Sequence, residues 1–162
     1  MTKDTVDRLL QQWRSERPDL DVSRLGLAIR IEMLAKLMRR ETERSLAKLA
    51  LKPWEYDVLS ALRRQGEPYE LPATELAKAS LLTSGAMTTR IDHLESRELV
   101  RREPDPDDRR GVRVSLTKQG LGLIDKAIQA RLSAAETGIG CLTRKERLSA
   151  DAALRKILLA QL

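Results

Sequence analysis

The clearest chemical pattern in the sequence lies in two short segments near the middle of the chain. The first contains five small residues: Thr83, Ser84, Gly85, Thr88 and Thr89. The four hydroxyl groups can bond phosphates or base edges, as the first residues of a helix do in the major groove of DNA. Gly85 would let the backbone approach closely. The alternative is that these hydroxyls only cap and solvate a helix, but the arginine-rich segment that follows favours contact with duplex DNA.

The second segment is rich in charge and contains Asp108, Arg109 and Arg110, with Arg113 close behind. A guanidinium at an exposed tip suits a narrow minor groove, where the negative potential is strong. Asp108 would hold Arg110 in a fixed pose. The alternative is a solvated tip with scattered ion pairs, each worth about 0–1 kcal/mol. We favour DNA contact because ordering three arginines, Arg109, Arg110 and Arg113, at an exposed tip otherwise only costs side-chain entropy.

The spacing of apolar residues predicts a pair of helices around the first segment. Residues 73–79 and 83–97 each place their apolar side chains on one face, which is the mark of an amphipathic helix. Residues 80–82 form the tight joint between them. Helix, short turn, helix is a DNA-binding supersecondary unit.

Two short strands are predicted on either side of the arginines. Val112, Val114 and Leu116 alternate with polar residues, a pattern typical of a half-exposed strand. Residues 99–103 form the partner strand, and residues 104–111, rich in Pro, Asp, Arg and Gly, form the hairpin tip. The sequence therefore predicts a winged helix-turn-helix within a chain that is otherwise mainly α, with this small β-hairpin wing.

Amphipathic helices are also predicted before and after this unit. Residues 4–16 and 25–49 form the first two, and the second is long enough for its apolar stripe to suggest a partner helix. A helix after the wing is broken at 137–141, and Thr143 with Glu146 forms a capping box for the last one. We therefore expect three regions: N-terminal helices (1–51), a DNA-binding domain (52–117) and C-terminal helices (118–162).

Composition limits the other classes of function. The chain has 162 residues with one Cys and one His, too few for a four-ligand zinc site, and no nucleophile motif is present. We therefore expect no enzyme activity, metal or cofactor. No apolar run of about 18 residues occurs and the charged N-terminus has no signal core, so we expect a cytoplasmic protein with no membrane partner.

The charge balance supports a polyanionic partner only weakly. The net charge is +6, which suits such a partner. Residues 52–117, however, carry eleven basic and twelve acidic residues. The placement of individual charges must therefore decide the DNA argument. The rival interpretation is a ligand-binding or protein-interaction module that has lost DNA binding.

Four further residues could have been functional, and we expect a modest role for each. Trp54 and Tyr56 should pack in the core or in a subunit interface. His93 should contact solvent or a phosphate. Cys141 should be structural or incidental, since only Arg144 and Lys145 provide positive charge near it in the sequence.

The segments 82–97 and 105–117, followed by Gly120, resemble the recognition helix and the wing of the MarR family of bacterial transcription regulators. The spacing of Asp108 and Arg110 is that family's signature. The resemblance implies a homodimer formed through the first long helix and the last two helices. It also implies binding to a palindromic operator in double-stranded DNA, usually repression, and often relief by a small ligand.

The additional N-terminal helix resembles that of the urate-responsive branch of this family. Trp13, Asp57, Arg90 and Arg102 fit the ligand-binding roles of that branch, which implies a small anionic or planar aromatic effector such as urate. Arg90 could face DNA, or face inward with Asp57 towards a pocket roofed by Trp13. The alternative is that Trp13 only pins its helix and that Asp57 and Arg90 form a structural ion pair.

Overall fold

The computed structural model describes residues 2–80, 82–106, 108 and 111–161. Within these residues the chain forms seven helices and three strands. The helices are α1 (Thr5–Glu16), α2 (Leu25–Ala47), α3 (Pro53–Arg63), α4 (Ala73–Ala79), α5 (Ser84–Ser96), α6 (Lys118–Ile139) and α7 (Arg144–Leu159). The strands are β1 (Glu70–Pro72), β2 (Val100–Pro104) and β3 (Val112–Leu116).

The predicted fold class, mainly α with a winged helix-turn-helix, is confirmed. Helices α4 and α5 form the helix-turn-helix, and β2 pairs with β3 as an antiparallel hairpin. The sheet also has a third strand that periodicity did not predict, because β1 is only three residues long and ends in proline. β1 pairs antiparallel with the other edge of β3, with Glu70 opposite Ser115.

The chain divides into two compact units, Met1–Glu41 and Thr42–Leu162. The first unit is held together by a small apolar cluster of Val6, Leu10 and Val22. Asp4 caps α1 in a capping box with Asp7. Arg30 of α2 donates to both carboxylates, at 2.9 Å to Asp4 and 2.7 Å to Asp7. Apolar burial and a small ion-pair network together fix α1 on the start of α2.

The second unit contains the main core, which lies between α3, the helix-turn-helix, the sheet and the start of α6. Its most fully buried side chains include Leu59, Leu62, Leu76, Leu94 and Ile124. On α5 the inward-facing residues are Met87, Ile91 and Leu94, as the periodicity predicts. Trp54 and Tyr56 are partly buried against this core, as expected. The core therefore fixes which face of α5 remains open.

The ends of the chain carry helices with uncovered apolar side chains. The predicted capping box of Thr143 and Glu146 is confirmed at the start of α7. The break before it comes later than expected, because α6 continues through Gly138 to its C-cap at Gly140. α7 lies entirely within the described residues and buries none of its side chains. Its exposed residues include Leu148, Leu154, Ile157, Leu158 and Leu159.

Candidate nucleic-acid interface

The first half of α5 presents an open, polar face. Thr83 is the N-cap, and its Oγ1 accepts a hydrogen bond from the Ala86 amide at 3.3 Å. The predicted contact residues Thr83, Ser84, Gly85, Thr88 and Thr89 are all exposed, while Met87 between them is buried. The start of α5 therefore has two different sides: Met87 packs into the core, and the small polar residues face outward.

The hydroxyl groups on this face are internally bonded in the free protein. Thr88 donates its hydroxyl to the Ser84 carbonyl at 3.0 Å, and Thr89 donates to the Gly85 carbonyl at 3.2 Å. A hydroxyl has one donor and two acceptor sites, and it can rotate. These oxygens can therefore accept bonds as they stand, whereas donation to a phosphate requires exchange of the internal bond.

Gly85 is not required by the packing of the protein. A Cβ placed on Gly85 would meet no other atom within 4 Å. The space above this backbone is open, so any need for glycine must come from a molecule that approaches α5. The role of Gly85 in DNA contact stays a prediction.

The base of the wing is built from ion pairs rather than from a free positive charge. Arg113 on β3 donates to the buried Asp105 at 3.1 Å and to Glu70 of β1 at 3.2 Å. Arg113 therefore belongs to the base of the wing, which corrects the expectation that it lies at the tip. Asp108 is exposed, and its carbonyl accepts from the Gly111 amide at 2.8 Å. Arg109 and Arg110 lie outside the described residues, so their roles stay predictions.

The start of α6 lies in close contact with the residue that precedes β2. The Thr117 amide donates to the Leu99 carbonyl at 3.1 Å, and its hydroxyl donates to the Glu98 carbonyl at 2.6 Å. The same hydroxyl oxygen accepts from the Gly120 amide at 3.0 Å and caps α6. A Cβ at Gly120 would overlap the Leu99 carbonyl oxygen. Thr117 and Gly120 thus join the start of α6 to the start of β2.

Arg102 of β2 connects the wing to α5 through ion pairs and hydrogen bonds. Its guanidinium forms ion pairs with Asp92 and Glu95 of α5 and donates to the Thr88 carbonyl at 3.3 Å. Its backbone amide donates to Glu95 at 3.1 Å. The expected ligand residue Arg102 is therefore already bound by acidic groups of α5, so an anionic ligand would have to compete with them.

Arg90 and Asp57 do not form the ion pair considered from the sequence. The Arg90 guanidinium instead lies over the Trp54 ring, 5.2 Å from its centroid, an arrangement that favours cation–π attraction. Asp57 is exposed on α3 and lines a cavity of about 460 Å³. The other lining residues are Thr42, Leu46, Pro53, Tyr56, Arg131, Leu132 and Ala135.

Trp13 belongs to the N-terminal unit and stays largely open to solvent. It lies on α1, and 45% of its surface is exposed. The side chains that α1 buries are Val6 and Leu10. The attachment of α1 therefore depends on these two aliphatic residues rather than on the tryptophan.

Sequence reasoning missed the most deeply buried charge in the structure. The Glu55 side chain is 1% exposed, and its carboxylate receives three hydrogen bonds. The donors are the Lys52 amide at 2.7 Å, the Arg97 guanidinium at 2.6 Å and the His93 Nε2 at 2.9 Å. A carboxylate cannot donate, so Nε2 of His93 must carry the proton. Proline at 53 and glutamate at 55 signal a helix start, but nothing local signals the partners on α5.

The environment of Glu55 keeps it ionised. Burial by itself raises the pKa of this carboxyl group, but the Lys52 amide and the Arg97 and His93 side chains more than offset that effect, so the pKa of Glu55 is lowered. His93 is exposed, as expected of a residue that contacts solvent or a phosphate, and it also bonds Glu55; its ring centroid lies 5.4 Å from that of Trp54.

The described residues show neither a metal-binding cluster nor a membrane-spanning helix. They contain no group of three or more His, Cys, Asp or Glu side chains able to hold a metal ion. No helix among them is both long enough and apolar enough to cross a membrane. Cys141 is a free, exposed thiol.

Comparison with known proteins identifies the family. Residues 51–111, which include the whole helix-turn-helix, match the sequence profile of the MarR family. The HTH-type transcriptional regulator PecS of Dickeya dadantii is 30% identical over 152 residues, which cover 94% of this chain and 92% of PecS. The chain belongs to the MarR family. Its relatives are helix-turn-helix transcriptional regulators rather than enzymes.

Solved structures of MarR-family regulators agree with this fold. The E. coli MarR C80S protein in complex with operator DNA is 26% identical, with a TM-score of 0.69 and coverage of 90% of this chain and 97% of that chain. Bordetella bronchiseptica BpsR, whose DNA binding is regulated by 6-hydroxynicotinic acid, is 25% identical, with a TM-score of 0.68 and coverage of 80% and 91%.

Proposed function

We propose that this MarR-family regulator is a ligand-responsive repressor that binds a palindromic operator as a homodimer. The observation that carries the DNA-binding part is the exposed face of α5, where small polar residues stand above a fully packed apolar face. Arg90, Asp108, Arg109 and Arg110 are proposed to add contacts from α5 and the wing. The structure of the relative MarR C80S with operator DNA supports the same use of this fold.

The dimer is proposed from apolar side chains that the single chain leaves uncovered. α2 exposes Leu27 (58%) and Leu34 (53%), and α7 exposes Leu148 (63%) and Leu158 (62%). Apolar groups in such number on helix surfaces mark an interaction face. A second copy would cover them within the predicted N-terminal and C-terminal regions, 1–51 and 118–162. Its recognition helix would then lie about 34 Å from the first, one turn of B-DNA.

The cavity beside α3 is the proposed effector site. It combines the Tyr56 ring and apolar walls with the positive charge of Arg131 and the negative charge of Asp57. Such a site suits a small anionic or planar aromatic molecule such as urate. Among the four residues expected to bind the ligand, Asp57 lines this cavity, whereas Arg90 and Arg102 are held by Trp54 and by the acidic residues of α5.

Fluorescence anisotropy on DNA from upstream of the protein's own gene tests both parts. Operator binding should weaken steeply as salt rises, because phosphate contacts release counterions, and urate should lower the affinity. Arg131→Gln should blunt the urate response while leaving DNA binding intact. Lys126→Gln removes the same charge from an exposed position on the same helix, and it should keep the urate response.

Each part of the proposal has its own contrary result. An operator affinity that does not change with urate would support a DNA-binding regulator and exclude urate as its effector. Absence of salt-sensitive binding to any upstream DNA would favour the rival, a ligand-binding or protein-interaction module without DNA binding.

A further inference from the structure

One face of the recognition helix is attached to the first turn of α3 by a chain of polar contacts. Arg90, His93 and Arg97 follow the spacing i, i+3, i+7, so they share one side of α5. Arg90 lies over Trp54, whereas His93 and Arg97 both donate to Oε1 of Glu55. The adjacent residues Trp54 and Glu55 thus meet two full turns of α5.

Glu55 is a rigid anchor for these contacts. Its second oxygen, Oε2, accepts from the Lys52 amide at 2.7 Å, which fixes the carboxylate to the backbone at the start of α3. Arg97 is fixed as well, because it also donates to the Ala50 carbonyl at 3.0 Å. Rotation of α5 about its axis would break these bonds, and it would also turn the hydroxyl groups of Thr88 and Thr89. The anchor therefore adds polar contacts to the apolar core in holding the open face of α5 in its direction.

We propose that Glu55 is a positioning residue for DNA recognition, and that protonation of His93 tightens its hold on α5. This inference rests on the proposed operator binding. Neutral His93 already donates one hydrogen bond to Glu55. Because Glu55 is ionised, that bond is already charge-assisted, and a protonated imidazole would add the attraction between two opposite charges. Histidine is the side chain that changes charge near neutral pH.

The charges around His93 define the expected direction. Glu55 of α3 contacts the ring directly at 2.9 Å and would attract a positive charge on it, whereas Arg97 reaches His93 only through the carboxylate oxygen that they share and would repel that charge. Arg90 reaches the same Trp54 ring. Acidification should therefore strengthen the attachment of α5, and it should increase operator affinity.

The test measures operator affinity at about pH 6 and about pH 8, at constant ionic strength. The wild-type protein should bind about two- to fivefold more tightly at the lower pH, which is what one partly exposed ion pair allows. His93→Gln keeps an amide donor near the Nε2 position but cannot titrate, so its affinity should not change with pH. Glu55→Gln keeps the shape without the charge and should lose the response as well.

A matched control separates this local effect from the general charge of the protein. Glu75→Gln makes the same change on α4, where the carboxylate binds Lys78 of its own helix, and it should keep the wild-type response. Far-UV circular dichroism verifies that each variant is folded. Should Glu55→Gln fail to fold, His93→Gln still decides whether His93 causes the response.

Two results would overturn the inference. One is a wild-type affinity that does not change with pH. The other is a pH response that survives in folded Glu55→Gln, because His93 would then act on the phosphates directly. If no variant binds DNA, operator binding itself is wrong, and NMR of the free protein decides about the anchor. Amide chemical shifts of α5 that change with pH in the wild type but not in Glu55→Gln would support the anchor. The same pH dependence in both proteins would refute it.

Discussion

Replacement of Gly120 by alanine tests the junction between the wing and α6. Gly120 lies in the first turn of α6, directly against the backbone of Leu99. A Cβ at this position would overlap the Leu99 carbonyl oxygen and lie 2.9 Å from its carbonyl carbon. Because ordinary van der Waals contact begins at 3.4 Å, α6 and the start of β2 must move apart. That movement strains the hydrogen bond from the Thr117 amide to the Leu99 carbonyl.

The size of the effect follows from three contributions, two destabilising and one stabilising. Overpacking of a closed contact costs about 1–3 kcal/mol, and weakening of one backbone hydrogen bond adds about 1 kcal/mol. Alanine is favoured over glycine within a helix by about 0.5–1 kcal/mol. Gly120→Ala should therefore lower the free energy of unfolding by about 2 kcal/mol, which corresponds to a fall in Tm of roughly 4–8 °C for a chain of this size.

Gly122→Ala is the matched control, two residues further along the same helix. A Cβ there would meet no atom within 4 Å. Only the preference of a helix for alanine over glycine therefore changes the stability. This variant should be as stable as the wild type, or more stable by up to about 1 kcal/mol. Urea unfolding followed by circular dichroism, at one protein concentration, measures all three proteins. A Gly120→Ala protein as stable as Gly122→Ala would refute the close contact as the reason for glycine.

Three further predictions concern DNA binding and acid stability. Gly85→Ala should keep the Tm, since its Cβ has open space, and weaken operator affinity in an anisotropy titration; equal affinity would exclude close approach of DNA to this backbone. Arg110→Ala should weaken operator binding at unchanged Tm, and an unaltered Kd would reject its role at the wing tip. Arg30 and the Asp7 amide lower the pKa of Asp4 to about 2. Its ionised form therefore stabilises the fold fully above about pH 4, and this stabilisation is lost as the pH falls through 2. Asp4→Asn should consequently be less stable than the wild type in urea unfolding at about pH 5, with the difference gone near pH 2; a difference that persists in acid would contradict the charge argument.

The helices and the wing could be predicted from the sequence because their signals are local. Thr83 caps α5 and Thr143 with Glu146 caps α7, and each cap involves residues within one turn of helix. The buried face of α5 likewise follows from apolar spacing along a single segment. The exposed side of α5 could be predicted for the same reason, since the polar residues of an amphipathic helix lie opposite its buried ones.

The contacts that set the geometry of the interface could not be predicted, because they join residues far apart in the chain. His93 and Glu55 are 38 residues apart, and Arg113 and Glu70 are 43 apart. From the sequence alone, each of these basic residues could pair with any of several acidic residues. Only the packing of α3 against α5, and of β1 against β3, selects the partner.

The sequence by itself thus determined the helix-turn-helix, the wing hairpin, the exposed face of α5 and the family of this protein. The tertiary structure decided what its charged residues do. It placed Arg90 on Trp54 rather than on Asp57, and it bound Arg102 to the acidic residues of α5. The physical reason is that periodicity and caps depend on neighbours within a turn or two, whereas an ion pair depends on which surfaces the core brings together.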